Sequence, residues 1–378
     1  MITDITIKNF KSIAEMHLSL GNVNVFIGAN GSGKSNILEA FGMIAAERSC
    51  RIDLEDMVKK GIRIAKPNLM VNSFEGQNVS PDIKMDISSD EGGRVVYGIS
   101  NKALMDIYSG WEVDEKKESW DALTSTGAFR VDSPNDIEEI SGKTKKLAAY
   151  IQQYLIYSIS IDALRGFTPE LFGPTFPLGI KGQGLDVFWN TLPEDEICQI
   201  KEMAMECISW IGDIFFDDDN RYKLKGYKLG RSISNLYFRD KYMLETENLL
   251  SAENANEGAL ELLFYLTLFI SKKKPLPDFF AVDNIETGLN PRLCRLLVKK
   301  ITKLAVEKGK QALITTHNPA VLDGLDLSDD TQRLYIVTRN DEGQTIAKRI
   351  RTKPKVDGGM KLSEMWMNGL IGGLPDNF

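Results

Sequence analysis

Histidine is almost missing from this 378-residue chain and cysteine is sparse: His17 and His317, then Cys50, Cys198, Cys207 and Cys294. Two imidazoles are too few for a His-rich metal site or an HNH-type nuclease within the polypeptide. Cysteines without CxxC spacing suggest neither a thiolate zinc site nor a disulfide framework. Long apolar runs are also lacking. The longest, Leu260 to Ile270, is interrupted by Glu261 and Thr267 and followed by Lys272-Lys273-Lys274, too short and too polar to span a bilayer. Positive charge is not in excess either: 46 Lys and Arg against 53 Asp and Glu give a formal −7, which excludes a wholly basic nucleic-acid coat and leaves room for local basic patches. With 43% hydrophobic and 26% charged residues, the composition is that of a soluble globular chain. Met1 to Lys8 alternates like a half-buried strand rather than a secretory leader, so the expectation is a cytoplasmic protein with no membrane partner.

What is present begins with strand-like segments at residues 2–8, 16–20 and 23–27. The third runs into a glycine-rich turn and then a helix whose apolar positions Ile37, Leu38, Phe41, Ile44 and Ala45 form one buried stripe. The middle third is harder to read. A strand is expected over 94–99, a helix over 137–155, irregular Gly- and Pro-rich chain over 167–184, an amphipathic helix over 194–211 stopped by Gly212, and short strands within 221–242. The last third returns to alternation: helix 257–271, strand 279–282, helix 291–308, strand 312–315, and a hairpin over 333–350 turning at Asp341-Glu342-Gly343. Short apolar strands separated by helices argue for a parallel α/β sheet, split across the middle third. No internal repeat or sustained heptad is visible, so a long coiled-coil arm is not expected.

Gly28-Ala29-Asn30-Gly31-Ser32-Gly33-Lys34-Ser35 matches G-x-x-x-x-G-K-[ST], after an apolar strand and at the start of a helix, where the physics requires it. Glycines let backbone N–H groups turn inward around phosphates, Lys34 neutralises the β/γ oxygens, and Ser35 offers a hydroxyl to Mg²⁺. The expected ligands are therefore ATP and Mg²⁺. Asp283 closes the apolar strand Phe279-Phe280-Ala281-Val282 and is a second candidate for the metal shell. No nucleophilic triad, glycosidase carboxylate pair or dinucleotide-binding G-x-G-x-x-G is visible.

Asn30 to Asn36, Asp283-Asn284-Ile285-Glu286-Thr287-Gly288-Leu289-Asn290-Pro291 and Thr315-Thr316-His317-Asn318-Pro319 together resemble the ABC-type ATPase heads of the SMC, RecF and OLD families. More narrowly the chain resembles stand-alone, OLD-like bacterial ATPases of the AAA type, many of them encoded with nucleases in anti-phage defence operons. Leu362-Ser363-Glu364-Met365-Trp366 and Gly372-Gly373-Leu374-Pro375 resemble the C-terminal ends of those proteins. The resemblance covers both ends of the chain and fades in the middle.

It implies a P-loop NTPase fold of α/β class: an ABC-ATPase-like head with a mixed-sheet lobe and an inserted, mainly helical region. Residues 1–100 would be the N-terminal part of the head, 101–210 the insertion and 211–378 the C-terminal part. Asp283 takes the place of the Walker B aspartate, Gly288-Leu289-Asn290 that of the D-loop, with His or Asp usual at 290, and His317 that of the switch histidine on the γ-phosphate. Lys11, in the opening turn Asn9 to Ser12, either approaches the nucleotide or is a solvated turn lysine. Asn256-Glu257-Gly258 stands where the families carry Ser-x-Gly, a helix N-terminus aimed at the γ-phosphate across a dimer interface; Asn256 replaces the serine, and a plain helix cap is the other reading. Asn284 stands where ABC-type heads carry the glutamate that polarises the attacking water; an amide orients water but cannot take its proton. Glu286 either substitutes as the base or caps the following segment, and hydrolysis is accordingly slow or absent. Gln77 is the candidate for the Q-loop.

The resemblance also implies head-to-tail dimers or higher even oligomers that scaffold or restrain a separately encoded effector, expected to be a nuclease in anti-phage defence. Two other readings stay open: a RecF-like ATPase acting directly on DNA, and an ATP-gated clamp without turnover. The basic runs at 143–146, 221–225 and 348–351 either track nucleic acid or are solvated faces.

Overall fold

A computed structural model describes residues 1–75, 79–114, 134–168, 178–227, 232–354 and 359–374, with side chains from 142 onward in the helix that starts at Pro134. The elements run β1 (Ile2–Phe10), β2 (Ile13–Ser19), β3 (Val23–Ile27), α1 (Lys34–Ala45), β4 (Arg51–Ile52), β5 (Asp82–Ser89), β6 (Arg94–Ser100) and β7 (Trp111–Asp114). They continue with α2 (Pro134–Gln152), β8 (Ile156–Tyr157), α3 (Glu194–Cys207), β9 (Ile211–Phe216), β10 (Leu236–Asp240), β11 (Leu249–Ser251), α4 (Glu257–Ile270) and β12 (Phe279–Val282). The last are α5 (Pro291–Lys308), β13 (Gln311–Thr316), β14 (Gln332–Arg339), β15 (Thr345–Ile350) and α6 (Leu362–Met367), with short helical turns between.

Three sheets result, ordered β2-β1-β5-β6-β7-β4, β11-β10-β9 and β15-β14-β3-β13-β12-β8. The third is parallel from β14 to β8, with β15 antiparallel on its edge. Its strands β3, β12 and β13 are buried throughout, as in a sheet covered on both sides, whereas the edge strand β15 is partly exposed. The period of two sorts the faces. Val23, Val25 and Ile27 of β3, with Phe280 and Val282 of β12, join the core that contains α4 and α5. Phe26, Phe279 and Ala281 join the core that contains α1 and the first sheet. The helix after the P-loop and the helices before and after β12 therefore lie on opposite faces of the central sheet.

The mixed α/β fold expected from the alternation is present. The helix expected over 194–211 ends at Cys207, and Ile211–Phe216 is instead β9, paired with β10. The apolar period runs on past Cys207, but backbone pairing with a strand 20 residues and more away overrides it, which local periodicity does not register. Arg221–Leu224 is a helical turn rather than a strand. The 101–210 stretch supplies β7 to the first sheet and β8 to the central one, so its ends are woven into both. Gln77, Pro375 and residues 169–177 of the expected irregular stretch lie outside the described residues.

Candidate functional site

Every residue of β3 is buried, and the chain leaves it at Gly28 into the P-loop. Gly33 takes φ 102 and Gly31 φ 76, the left-handed region that favours glycine, which aims successive N–H groups into one concavity. Space adds a second constraint. A Cβ on Gly33 would stand 2.9 Å from Thr345 Cβ, and one on Gly28 would collide with the Val337 carbonyl, because the β14–β15 hairpin lies against the loop. The first turn of α1 carries no acid, so nothing in it offsets the positive end of the helix dipole.

Lys34 is 5% exposed; its ammonium donates to the carbonyls of Gly28 at 2.9 Å and Ala29 at 3.0 Å and stands 3.4 Å from His317 Nδ1. Burial lowers its pKa to about 8, against the pull of Asp283 and Glu286. A buried cation held only by carbonyls, beside helix N–H groups, suits an incoming polyphosphate. Ser32 Oγ, buried in the same loop, has no hydrogen-bond partner among the described residues.

Because β3, β13 and β12 are parallel neighbours, their C-terminal ends deliver the P-loop, the His317 turn and Asp283 to one crevice. Ser35 Oγ donates to both Asp283 oxygens at 3.2 Å. Thr315 Oγ1 donates to Asp283 Oδ1 at 2.5 Å and accepts the Asn284 N–H at 2.9 Å. Asn284 sits at φ 58, a region that asparagine tolerates better than glutamate does. The His317 N–H donates to Glu286 Oε1 at 2.6 Å, while Glu286 Oε2 has no partner among the described residues. Burial, then the Lys34 charge, holds the His317 imidazole below its ordinary pKa and favours the neutral ring. Ser35 and Asp283 are hard oxygen donors that fit Mg²⁺. Among the described residues no group of three or more His, Cys, Asp or Glu could hold a metal, so two protein ligands plus phosphate oxygens are the donor set available.

Sequence reasoning named Lys11 and Asn36 but missed Glu39, Arg63 and Arg339, which form a layer around them. Glu39, the one acid in α1, is 2% exposed and binds the Lys11 ammonium and Arg63 Nε, the latter at 2.7 Å. Arg63 Nη2 also reaches Asn36 Oδ1 at 3.1 Å, and Asn36 Nδ2 donates to Ser12 Oγ at 2.7 Å. Lys11 is thus no solvated turn lysine; its side chain is 10% exposed, at φ 49, on the wall of a cavity of about 410 Å³ beside the P-loop. Arg63, Leu69, Phe74 and Arg339 line the same cavity, and the Arg339 guanidinium lies 5.8 Å from the Phe74 ring centre. An acid inside an apolar helical stripe was the one signal that pointed to this layer.

A family model described as AAA ATPase domain matches residues 1–163, and one described as AAA domain, putative AbiEii toxin, Type IV TA system, matches residues 213–323. The crystal structure of an SMC head bound to the C-winged helix domain of ScpA has the same fold, with a TM-score of 0.56, 16% identity, and coverage of 92% of this chain and 97% of that one. The chain has the fold of an SMC ATPase head and carries two AAA-type ATPase domain matches. Curated relatives match over short stretches. An uncharacterized protein of Methanocaldococcus jannaschii is 46% identical over 78 residues, 20% of this chain and 24% of that one. The DNA replication and repair protein RecF of Clostridioides difficile is 33% identical over 87 residues, 22% and 23% respectively. The matched part of the chain thus spans about a quarter of the length of these relatives.

Within the head, Gly28, Asn30, Gly31, Ser32, Gly33, Lys34, Ser35, Asn36, Asp283, Asn284, Glu286 and His317 gather around the P-loop crevice, with Lys11 beside it. Asn256 and Gly258 do not join them. They begin α4, which packs on α3 and α5, whereas α1 packs on α2, β1, β8 and β13. Asn256 is exposed and occupies the N-cap position of α4, its carbonyl accepting from the helix but its side chain making no capping bond, and Gly258 faces the carbonyl of Gly288. Asn290, where His or Asp was the expectation, caps α5 by accepting the Leu293 N–H at 3.0 Å. Of the basic runs, Lys146 pairs with Glu91 at 3.9 Å, Arg221 with Asp219 at 2.8 Å, and Arg349 with Asp330. No helix among the described residues is long and apolar enough to cross a membrane.

Proposed function

We propose that the head is a cytoplasmic ATPase that takes ATP with Mg²⁺ in the P-loop crevice and pairs head to tail with a second copy around two nucleotides. The convergence of Lys34, Ser35, Asp283, Glu286 and His317 at the ends of three neighbouring parallel strands carries this reading. Loop N–H groups and Lys34 bind the phosphates, and the cavity walled by Arg63, Leu69, Phe74 and Arg339 is of a size and polarity to take the base. Mg²⁺, when held by Ser35 and Asp283, supplies neutralisation of phosphate charge. Glu286 keeps one oxygen unpartnered among the described residues and is the acceptor for the proton of attacking water, which Asn284 orients. The side chain of Glu286 bonds across to His317, which speaks against a mere cap on its own segment.

Placement of α1 and α4 on opposite faces of the sheet supports the pairing, because a signature glycine on the far face can meet a γ-phosphate only from another chain. Sedimentation with Mg-ATP tests it. Wild type should shift to dimer with nucleotide, whereas Asn256→Arg should bind ATP and stay monomeric; wild type that binds ATP and never pairs rejects the arrangement. The partner we assign is a separately encoded effector, a nuclease in anti-phage defence, on the strength of the motif resemblance; the ScpA domain bound to the similar SMC head supports partner binding in general. Co-purification from the native operon that yields no partner with or without ATP rejects that assignment. The match to RecF favours a second reading, direct action on DNA, for which steeply salt-dependent DNA affinity and DNA-stimulated ATP turnover are the signs.

A further inference from the structure

Glu261 is the one acid buried within α4, a helix in which every residue from Gly258 to Ile270 is buried. It is 2% exposed and lies one turn below Glu257, on the side that meets the D-loop. A Cβ on Gly288 would stand 2.9 Å from Glu261 Cδ, so the carboxyl fills the space directly behind that glycine, whose own φ of 70 already favours glycine. Glu261 Oε2, the Tyr265 hydroxyl and Glu286 Oε2 are all buried, and none has a partner among the described residues. Gly258 touches the same place: its Cβ would lie 3.5 Å from the Gly288 carbonyl. A buried carboxyl thus stands where signature helix and D-loop meet, beside other unpartnered polar atoms, and burying it is costly unless it has a task.

We propose that Glu261 is a positioning residue, a buried carboxyl wedged under Gly288 that packs the signature helix against the D-loop and so sets Glu286 and His317 for turnover. The inference rests on the ATPase reading above. Burial, with Glu257 next, raises the Glu261 pKa to about 8, so the acid is protonated at neutral pH and can donate a hydrogen bond. The groups facing it are Glu257 and Tyr265 on its own helix, Glu286 in the D-loop and Cys294 on α5; burial, then Glu261, Glu286 and Cys294, pushes the Tyr265 hydroxyl up. The nearby Arg165 lies 3.6 Å from Glu257. Ionising Glu261 would set a second negative charge beside Glu286 with no cation facing it among the described residues, and would push the D-loop away.

The test uses the full chain, wild type, Glu261→Gln and Glu261→Leu, from pH 6 to 9, with three readouts: ATP affinity, and, at ATP kept saturating at each pH, phosphate release and dimerisation. Wild-type release and dimerisation should fall about tenfold per unit above pH ~8. Glu261→Gln, always neutral and able to donate, should keep neutral-pH release within about threefold and lose the alkaline fall. Glu261→Leu, folded by circular dichroism, should lose about tenfold or more in release and dimerisation with ATP affinity within about threefold. The proposal is overturned if the glutamine variant retains the alkaline fall, if the leucine variant matches wild type, or if both weaken ATP uptake as much as turnover. Absence of ATP uptake by wild type sinks the ATPase reading and this proposal together; normal uptake with unaltered variants sinks this proposal alone.

Discussion

Replacing Glu39 by alanine removes the carboxylate that two cations share, Lys11 at 10% side-chain exposure and Arg63 at 66%. The two arms differ in worth. Deleting one partner of a buried pair costs about 3–5 kcal/mol, because the other charge is left uncompensated, whereas an exposed pair contributes about 0–1 kcal/mol. Glu39→Ala should therefore cost about 3–5 kcal/mol, nearly all through Lys11, and lower the melting temperature by about 2 °C per kcal/mol in a chain of this size. Arg63→Ala should cost about 1 kcal/mol or less while weakening ATP, since Arg63 lines the base cavity. Replacing both buried partners, Lys11→Met with Glu39→Leu, should recover most of the loss. Burial pushes the Glu39 carboxyl up, but Lys11 and Arg63 together outweigh it and hold the group below its ordinary value. A depressed acid contributes stability that is complete above the unfolded carboxylate range and is lost as pH falls through the folded value, so the gap between wild type and Glu39→Ala should close in acid. Thermal melts followed by circular dichroism from pH 3 to 8 read all of this. A single variant that melts with wild type, or a double variant no better than the single, refutes the reasoning.

Three further outcomes are expected. With the Lys34 pKa lowered to about 8, the ammonium of the nucleotide-free head discharges above that pH, so ATP affinity should fall there and stay level below it; titrations from pH 6 to 9.5 that show no such fall contradict the burial of Lys34. Thr315→Val leaves Asp283 and the Asn284 N–H each short of a partner, and should cost about 1–3 kcal/mol in chemical unfolding and weaken Mg²⁺-dependent binding more than Mg²⁺-free binding. Glu286→Gln should keep ATP affinity within about threefold and slow single-turnover phosphate release by about a hundredfold or more. No release by either form would mark an ATP-held clamp instead.

The P-loop was legible because its demands are local: glycines where the loop turns left-handed, an apolar strand before it, a helix after it. The bounds of α5 were legible for the same reason, with Pro291 and a capping Asn290 at one end and Gly309 at φ 71 at the other. Lys11, Glu39, Arg63 and Arg339 come from four separate segments and meet only by packing, so no spacing announces them. The same holds for β9, where Ile211 and Ile214 keep a helix-like period yet are buried by pairing with β10. Asn284 reads in sequence as a lost catalytic carboxylate; the backbone adds a reason of its own, since φ 58 suits asparagine and costs glutamate about 1–2 kcal/mol. Glu261 read only as a break in an apolar run, because the partner that gives it meaning, Gly288, lies 27 residues on.

The most direct measurement is a calorimetric titration of ATP with and without Mg²⁺ into wild type and Lys34→Ala. Saturable uptake of one nucleotide per chain, strengthened by Mg²⁺ and weakened about a hundredfold or more in a variant that melts as wild type does, is the result expected of a head whose buried lysine waits on two carbonyls. Equal binding by both chains, or heat that never saturates, would contradict it.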